Sequence, residues 1–531
     1  MKRIAVLFLA VFMFLCGTGC ADKENVGGKT TIKFFGWGSA FEINNFQAVI
    51  DEFEKDYPEY TVKYTASDAA TYMTTLLSTN RRNFPDVFYM PDVNFLQTRS
   101  GKDIMLDLTP YVEASETLNL DDVYMKGIDA FRYDPQTKTF GTGAIWAFPK
   151  DLGPNVLTYN KDHVKKCGVI IVSDATGEKY PYGYGYYEEN GETKKILNDQ
   201  IAMTWAQLLQ FCIDVTTDKV IGMTHWPWEV VYISMGGRFL SDDYKEVTID
   251  NDRFAEAVQI AGDFYDWGAM PSVADQATQN AIQRFTSQLA AVTFTEYWQL
   301  PTLWTQNFDF DILPIPVPNI SGIDDYTEGA AKKVRAELMT EAVREGAKST
   351  YELGCVGLAA YKDSKCPEGA YKLIEYLAYN AGGNTLLWKN GQSVPNLQSV
   401  SDEFLTEENN DPLGMNRPQN RQVYLDMLET ANRRVEAYTY DTEWYTNINQ
   451  APQDELKLNR IWKRDSDYVE LWDWDLRTAQ SPSGGQTFNK ASNGDSMSFL
   501  ARLEAQVQSV YENNFNAAGE LLFKWETNTK V

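Results

Sequence analysis

Apolar and polar residues alternate along TTIKFFGW, Thr30 to Trp37, which predicts a strand running into the loop FGWGSAFE. The next apolar positions, Phe46, Val49, Ile50 and Phe53, recur at helical spacing until Pro58 closes the segment. TVKYTAS predicts a second strand, ATYMTTLLSTNRR a second helix, and PDVFYMPD a short apolar strand that meets Pro91 and Asp92. This alternation predicts a doubly wound α/β sheet with helices on both faces. Ligands of such sheets bind at the carboxyl ends of the strands. Those ends carry Trp37, Phe41, Glu42 and Asp92.

Further along, Pro149 and the pair Gly153–Pro154 interrupt the strand-like run IWAFPKDLGPNVLTYN, and Tyr159–Asn160 leads into a helix. The tyrosine-rich, glycine-punctuated stretch within 170–200 predicts a β-hairpin insertion. Thr204 caps the helix TWAQLLQFCIDVTTD, and GMTHWPWEVVYISMGGRF reads as a strand and an aromatic turn. RFTSQLAAVTFTEYW reads as helix, strand and aromatic end, and FDFDILPIPVPN as an edge strand closed by prolines. Residues 320–350 are a polar, charged insertion. CVGLAAYKDS predicts a strand, and CPEGAYKLIEYLAYNAGG a helix with Pro367 near its start and Gly382–Gly383 at its end.

The first twenty residues change the picture. Lys2 and Arg3 precede an apolar run, Ile4 to Leu15, and the small residues Gly17 to Gly19 precede Cys20. This is the pattern of a bacterial secretion signal. The apolar run is too short to span a bilayer, which takes about 20 residues. The segment resembles the lipobox of bacterial lipoproteins, with Gly17 where a leucine is usual. Cys20 is then the lipid anchor, residues 21–29 are a tether, and a plain signal peptide cut nearby is the alternative. An exported chain has no access to cytoplasmic ATP or NAD, so no cofactor is expected. The formal charge of −26 disfavours nucleic acid and anionic lipid. With only His163 and His225, a histidine-rich metal site or a Ser-His-Asp triad is hard to build, and His225 is the one histidine left open for such a role. Cys167, Cys212, Cys355 and Cys366 fit neither a zinc set nor a small disulfide scaffold, and read as buried thiols.

Seen together, FGWGSAFEINNFQAVIDEFEKDYPEYTV, FPDVFYMPD, AFPKDLGPNVLTYNKDHVKKCGV, the TWAQLLQF helix, LAAVTFTEYW, FDILPIPVPN and GCVGLAAYKDSKCPEGAYKLIEYLAYNAGGNTLLWKNGQSVPN resemble the extracellular solute-binding proteins of bacterial ABC importers. The resemblance is to the large sugar-binding class that includes maltose-binding protein. It implies a two-lobed periplasmic-binding-protein (Venus flytrap) fold with a hinge of two or three crossovers. The crossovers would lie near Lys150 to Val156, after Asn319, and near Val394 to Asn396. The first lobe takes 30–150 and 353–394, and the second takes 155–320 and 395–531. The implied protein is a monomer that captures a carbohydrate, an oligosaccharide by the size of its insertions, at the outer face of the cell membrane. It passes the ligand to ABC permease subunits and is not an enzyme.

A sugar presents apolar C–H faces and a rim of hydroxyls, so its site needs aromatic platforms beside planar polar groups. Trp37, Trp226, Trp228, Tyr232, Tyr297, Trp298 and Trp388 fall at strand ends or helix starts, with Phe41, Glu42, Asp92, Asp151 and Glu296 beside them. The resemblance places a stacking aromatic at Trp298. Each residue also has a structural role open to it: Trp37 in packing between lobes, Trp226 or Trp228 and Trp388 in the core, Glu42 at a helix dipole, and Asp92 and Asp151 in capping or hinge contacts. A receptor for a peptide or polyamine is the nearer rival. A secreted glycoside hydrolase, needing two carboxylates about 5–10 Å apart, is the more distant one.

Overall fold

The computed structural model describes residues 25–26, 28–90, 104–137, 139–224, 228–234, 237, 257, 260, 264, 267–271, 278–317, 349, 352–406, 418–430 and 432–433, with three short strands at Trp462–Asp465, Tyr468–Leu471 and Thr487–Asn489. The signal with Cys20, and the candidates Asp92 and Trp226, lie outside the described residues. No helix among the described residues is long and apolar enough to cross a membrane.

Two sheets organise the chain. In the first, Lys29–Trp37 lies between Tyr60–Ser67 and Val87–Met90, parallel to both. Its inward residues Ile32 and Phe34 are buried, as the alternation predicts. Helix Ala40–Asp56 buries Phe46, Val49, Ile50 and Phe53, and starts in a capping box made by Ser39 and Glu42. Beyond Val87–Met90 the sheet continues through Gly357–Ala360 to Phe148–Pro149, each pair antiparallel. The sheet is therefore mixed rather than wholly parallel. The strand returning from the second sheet enters at the carboxyl ends of the parallel strands, so it must run against them.

In the second sheet the long strand Gly153–Asn160 pairs along one edge with Ala290–Glu296 and along the other with Phe310–Leu313 and Glu352–Gly354, all antiparallel. Ile221–Met223 extends it parallel to Ala290–Glu296. The expected hairpin is present as Tyr184–Glu189 and Glu192–Asn198, turning at Asn190 (φ 53°) and Gly191 (φ 81°). An Asn-Gly pair suits two left-handed turn positions. Val169–Val172 adds a parallel third strand. Helix Trp205–Val215 starts at Thr204 with a full capping box.

Two connections join the sheets side by side. Lys150–Leu152 leads from Pro149 to Gly153, and Cys355–Val356 returns from Gly354 to Gly357. The Lys150 N–H donates to the Val356 carbonyl at 2.7 Å. A Cβ on Gly354 would lie 2.9 Å from the Gly153 carbonyl oxygen, so glycine permits this close approach. Val394 makes an antiparallel bridge to Leu152, which brings a third segment against the connections. Beyond it, Gln398 donates to the Val123 carbonyl and Phe404 packs on Trp388 at 5.6 Å, while the Leu405 carbonyl accepts from Arg421. Contacts to the second sheet resume at Asn420.

None of Cys167, Cys212, Cys355 and Cys366 forms a disulfide. Cys212 is buried as expected, while the other three are half-buried.

Candidate functional site

The carboxyl ends of the parallel strands and the Lys150–Leu152 connection converge on one polar cluster. Trp37 ends its strand half-buried, its ring edge-on to Tyr72 at 4.6 Å and Tyr89 at 5.1 Å. Phe41, also half-buried, packs against the core from the first turn of helix Ala40–Asp56. Glu42 divides its carboxylate between two tasks. Oε2 accepts from the Ser39 N–H at 2.8 Å and closes the capping box. Oε1 lies 3.6 Å from Lys150 Nζ and accepts from Gln392 Nε2 at 3.3 Å. The capping role and the cleft role therefore coexist in one side chain.

Asp151 lies 2.8 Å from the same ammonium. Lys150 itself is nearly sealed, with its Nζ 5.2 Å from the centre of the Tyr89 ring and 5.5 Å from that of Phe46. Burial opposes its charge, but Asp151 and Glu42 outweigh that and raise its pKa. Burial likewise works against ionised Glu42. The Lys150 charge and the bonds from Ser39 and Gln392 outweigh it and hold the carboxyl below its ordinary value. Tyr64 and Tyr89 pair their hydroxyls at 3.3 Å beside the cluster, and burial keeps both phenols neutral by raising their pKa values.

On the second sheet, Glu296 lies opposite Asn155, just beyond the first connection. Trp298 follows it and is 63% exposed, and its indole N–H is held by the Glu296 carboxylate. That bond fixes one edge of an open aromatic face.

Three aromatic candidates are buried. Tyr232 is buried in helix Trp228–Ser234, where a strand and turn were expected. Its neighbours Val230, Val231 and Ile233 favour strands intrinsically, and burial of the whole segment overrides that preference. Tyr297 is buried against Tyr424 at 5.0 Å. Trp388 is buried against Phe404. Trp228 begins its helix. Sequence reasoning missed Lys150 and Gln392. A Lys-Asp pair set between two strand-like runs was the available signal for the first. The buried Gln392 had none.

A cavity of about 580 Å³ opens at the other end of strand Gly153–Asn160, beside Lys161, Asp199, Gln200, Asp311 and Asn420. Those groups already satisfy one another. Asp311 Oδ1 accepts from the Asn420 and Ile312 N–H groups, and Oδ2 faces Lys161 at 3.3 Å. Asn420 Oδ1 accepts from Gln200, and its amide donates to the Asp199 and Ile312 carbonyls. This is a structural seam. No group of three or more potential metal ligands occurs among the described residues.

Comparison with curated proteins finds no match. Solved structures resemble the fold at low identity. The ABC substrate-binding protein Lmo0181 from Listeria monocytogenes, in complex with cycloalternan, aligns with TM-score 0.60 and 18% identity over 91% of this chain and 99% of that one. The sugar-binding protein MalE from Xanthomonas citri gives 0.59 and 16% over 91% and 98%. The cyclic α-maltosyl-1,6-maltose binding protein from Arthrobacter globiformis gives 0.57 and 14% over 92% and 100%. At these identities the likeness establishes the two-lobed α/β fold. A family model closes the question of kinship: it matches residues 48–413, and the chain belongs to the bacterial extracellular solute-binding proteins.

Proposed function

We propose that this protein is the substrate-binding lipoprotein of an ABC importer, capturing a carbohydrate between its two lobes. The observation that carries this reading is Trp298. An indole exposed to 63%, pinned by Glu296 beside the connection between sheets, offers a flat face of the kind that sugar C–H surfaces stack upon. Glu42, Asp151 and Trp37 supply hydroxyl acceptors and a second aromatic edge at the ends of the first sheet. The cycloalternan and maltosyl-maltose ligands of the structural neighbours support the same class. Lobes joined by short side-by-side connections open and close as units, and a ligand touching both favours the closed form. The chain binds and releases without catalysing a reaction, and acts as a monomer. A lipid on Cys20 holds it at the outer face of the membrane, where it delivers the ligand to permease subunits.

A thermal-shift screen of oligosaccharides against polyamines and peptides tests the ligand class. A true ligand at 100 times its Kd stabilises by about 2.7 kcal/mol, and scattering should record compaction on binding. Stabilisation by polyamines or peptides alone would overturn the carbohydrate reading. In the producing cells, Cys20→Ser should move the protein from the membrane fraction to the medium.

A further inference from the structure

We infer that Lys150 is the positioning residue of the cleft: a buried cation that fixes Glu42 and Asp151 as ligand-facing acceptors and tunes the site to neutral, polyhydroxylated solutes. The inference rests on the carbohydrate reading and deepens it.

Exposure grades outward across the cluster. The Lys150 side chain is 4% exposed, Asp151 15% and Glu42 28%. Desolvating an ammonium costs several kcal/mol and repays only with well-made partners, and Asp151 at 2.8 Å is the nearer of the two here. Here the cation is the floor and the anions are the rim. The rings of Tyr89 and Phe46 close that floor. A carboxylate accepts at about four sites; Ser39, Gln392 and Lys150 take three on Glu42, and Lys150 takes one on Asp151, so both acids keep acceptor capacity. Gln392 belongs to the same cluster. It is 4% exposed, its Nε2 is spent on Glu42, and its Oε1 has no partner among the described residues.

The charge balance sets the ligand class. Two bare carboxylates would attract a polyamine. With Lys150 between them the trio carries a single net negative charge, while the acceptors for sugar hydroxyls remain. Lys150 also sits on the connection itself, its backbone N–H tied to Val356 of the return connection. The acceptors are thereby held at the hinge, where both lobes can reach the same ligand.

Calorimetric titration of the best oligosaccharide from the screen, at about pH 5 and about pH 7.5, tests the proposal on wild type, Lys150→Arg and Lys150→Met. The groups against Glu42 are Lys150, Asp151 beyond it, and the neutral Tyr64–Tyr89 pair. Wild-type Kd should hold within about twofold, because Glu42 stays ionised throughout. Lys150→Met should bind about tenfold more weakly at pH 7.5. It should weaken further at pH 5, since burial without the cation raises the Glu42 carboxyl, and it should gain affinity for spermidine. Lys150→Arg should recover most of the binding. A wild-type Kd and pH profile in Lys150→Met would overturn the role of Lys150 while leaving the carbohydrate reading intact. If Lys150→Met fails to fold, the double variant Lys150→Met with Asp151→Asn keeps the net charge and decides by the same pH profile, a flat one counting against Lys150. Spermidine binding to wild type with no oligosaccharide binding would sink both the carbohydrate reading and the selectivity assigned to Lys150.

Discussion

Lys150 and Lys161 bracket the strand Gly153–Asn160, the first buried and the second half-buried, and each is paired with an aspartate. The two clusters look alike in sequence, and they do opposite work. Around Lys161, Asp311 is 2% exposed and both its oxygens are occupied, by two backbone N–H groups and the ammonium. The segment that begins at Asn420 is thereby clamped onto the second sheet. Asp309, 3.8 Å from Lys161, is open but adds no hydrogen bond to that clamp, whereas around Lys150 both paired carboxylates are partly open and retain acceptor capacity. What separates a clamp from a binding site is unused hydrogen-bonding capacity facing solvent, and residue type alone does not reveal it.

The comparison breaks most visibly at Asp311. Asp311→Ala leaves the Lys161 ammonium and the Asn420 N–H without their main partner, at a cost of about 3–5 kcal/mol. Asp309, 3.8 Å from Lys161, places the expected value at the lower end. Denaturant unfolding should record this loss, while ligand Kd stays within about twofold. A loss below about 1 kcal/mol would show that Asp311 is no clamp.

Trp298→Ala sharpens the other side. The ring is mostly in solvent, so stability should change by less than about 0.5 kcal/mol. Binding should weaken by about 1–2 kcal/mol through the lost stacking face. Unchanged affinity would remove the observation on which the carbohydrate reading stands.

The same contrast explains what was legible beforehand. Period-two alternation around Ile32 and Phe34, helical spacing from Phe46 to Phe53, and the Thr204 cap are local signals, and the elements form where they predict. Trp298 was reached through the VTFTEYW end of its strand. Tyr232, Tyr297 and Trp388 were not separable from it, because an aromatic residue reads the same in a cleft or a core until its neighbours are placed. Lys150 was expected only at the start of a crossover, and its place in the site was missed for a related reason. Between Pro149 and Asp151 it reads as a surface charge, and its burial depends on Glu42, Tyr89 and Gln392, which are brought there only by the folded chain.

The smallest expected effect is also the most specific, because the two clusters should respond to acid with opposite signs. Glu42 is held below its ordinary value, so the folded protein binds fewer protons there than the unfolded chain. Its contribution to stability is present above the unfolded value of about 4.3. It is lost as pH falls through the lower folded value. Asp311 runs the other way. Burial raises its carboxyl, against the bonds from Asn420 and Ile312 and the charge of Lys161, and nearby Asp199 adds to the rise. The folded protein therefore binds the proton more tightly, and this contribution is full below the unfolded value of about 3.9. It is lost as pH rises through the folded value. Unfolding free energies measured between about pH 3 and about pH 6 for wild type, Glu42→Gln and Asp311→Asn isolate the two terms. The wild-type advantage over Glu42→Gln should grow with pH, and that over Asp311→Asn should shrink. Slopes of the same sign would mean that the Lys150 and Lys161 clusters are electrostatically alike, and the distinction between rim and clamp would fall.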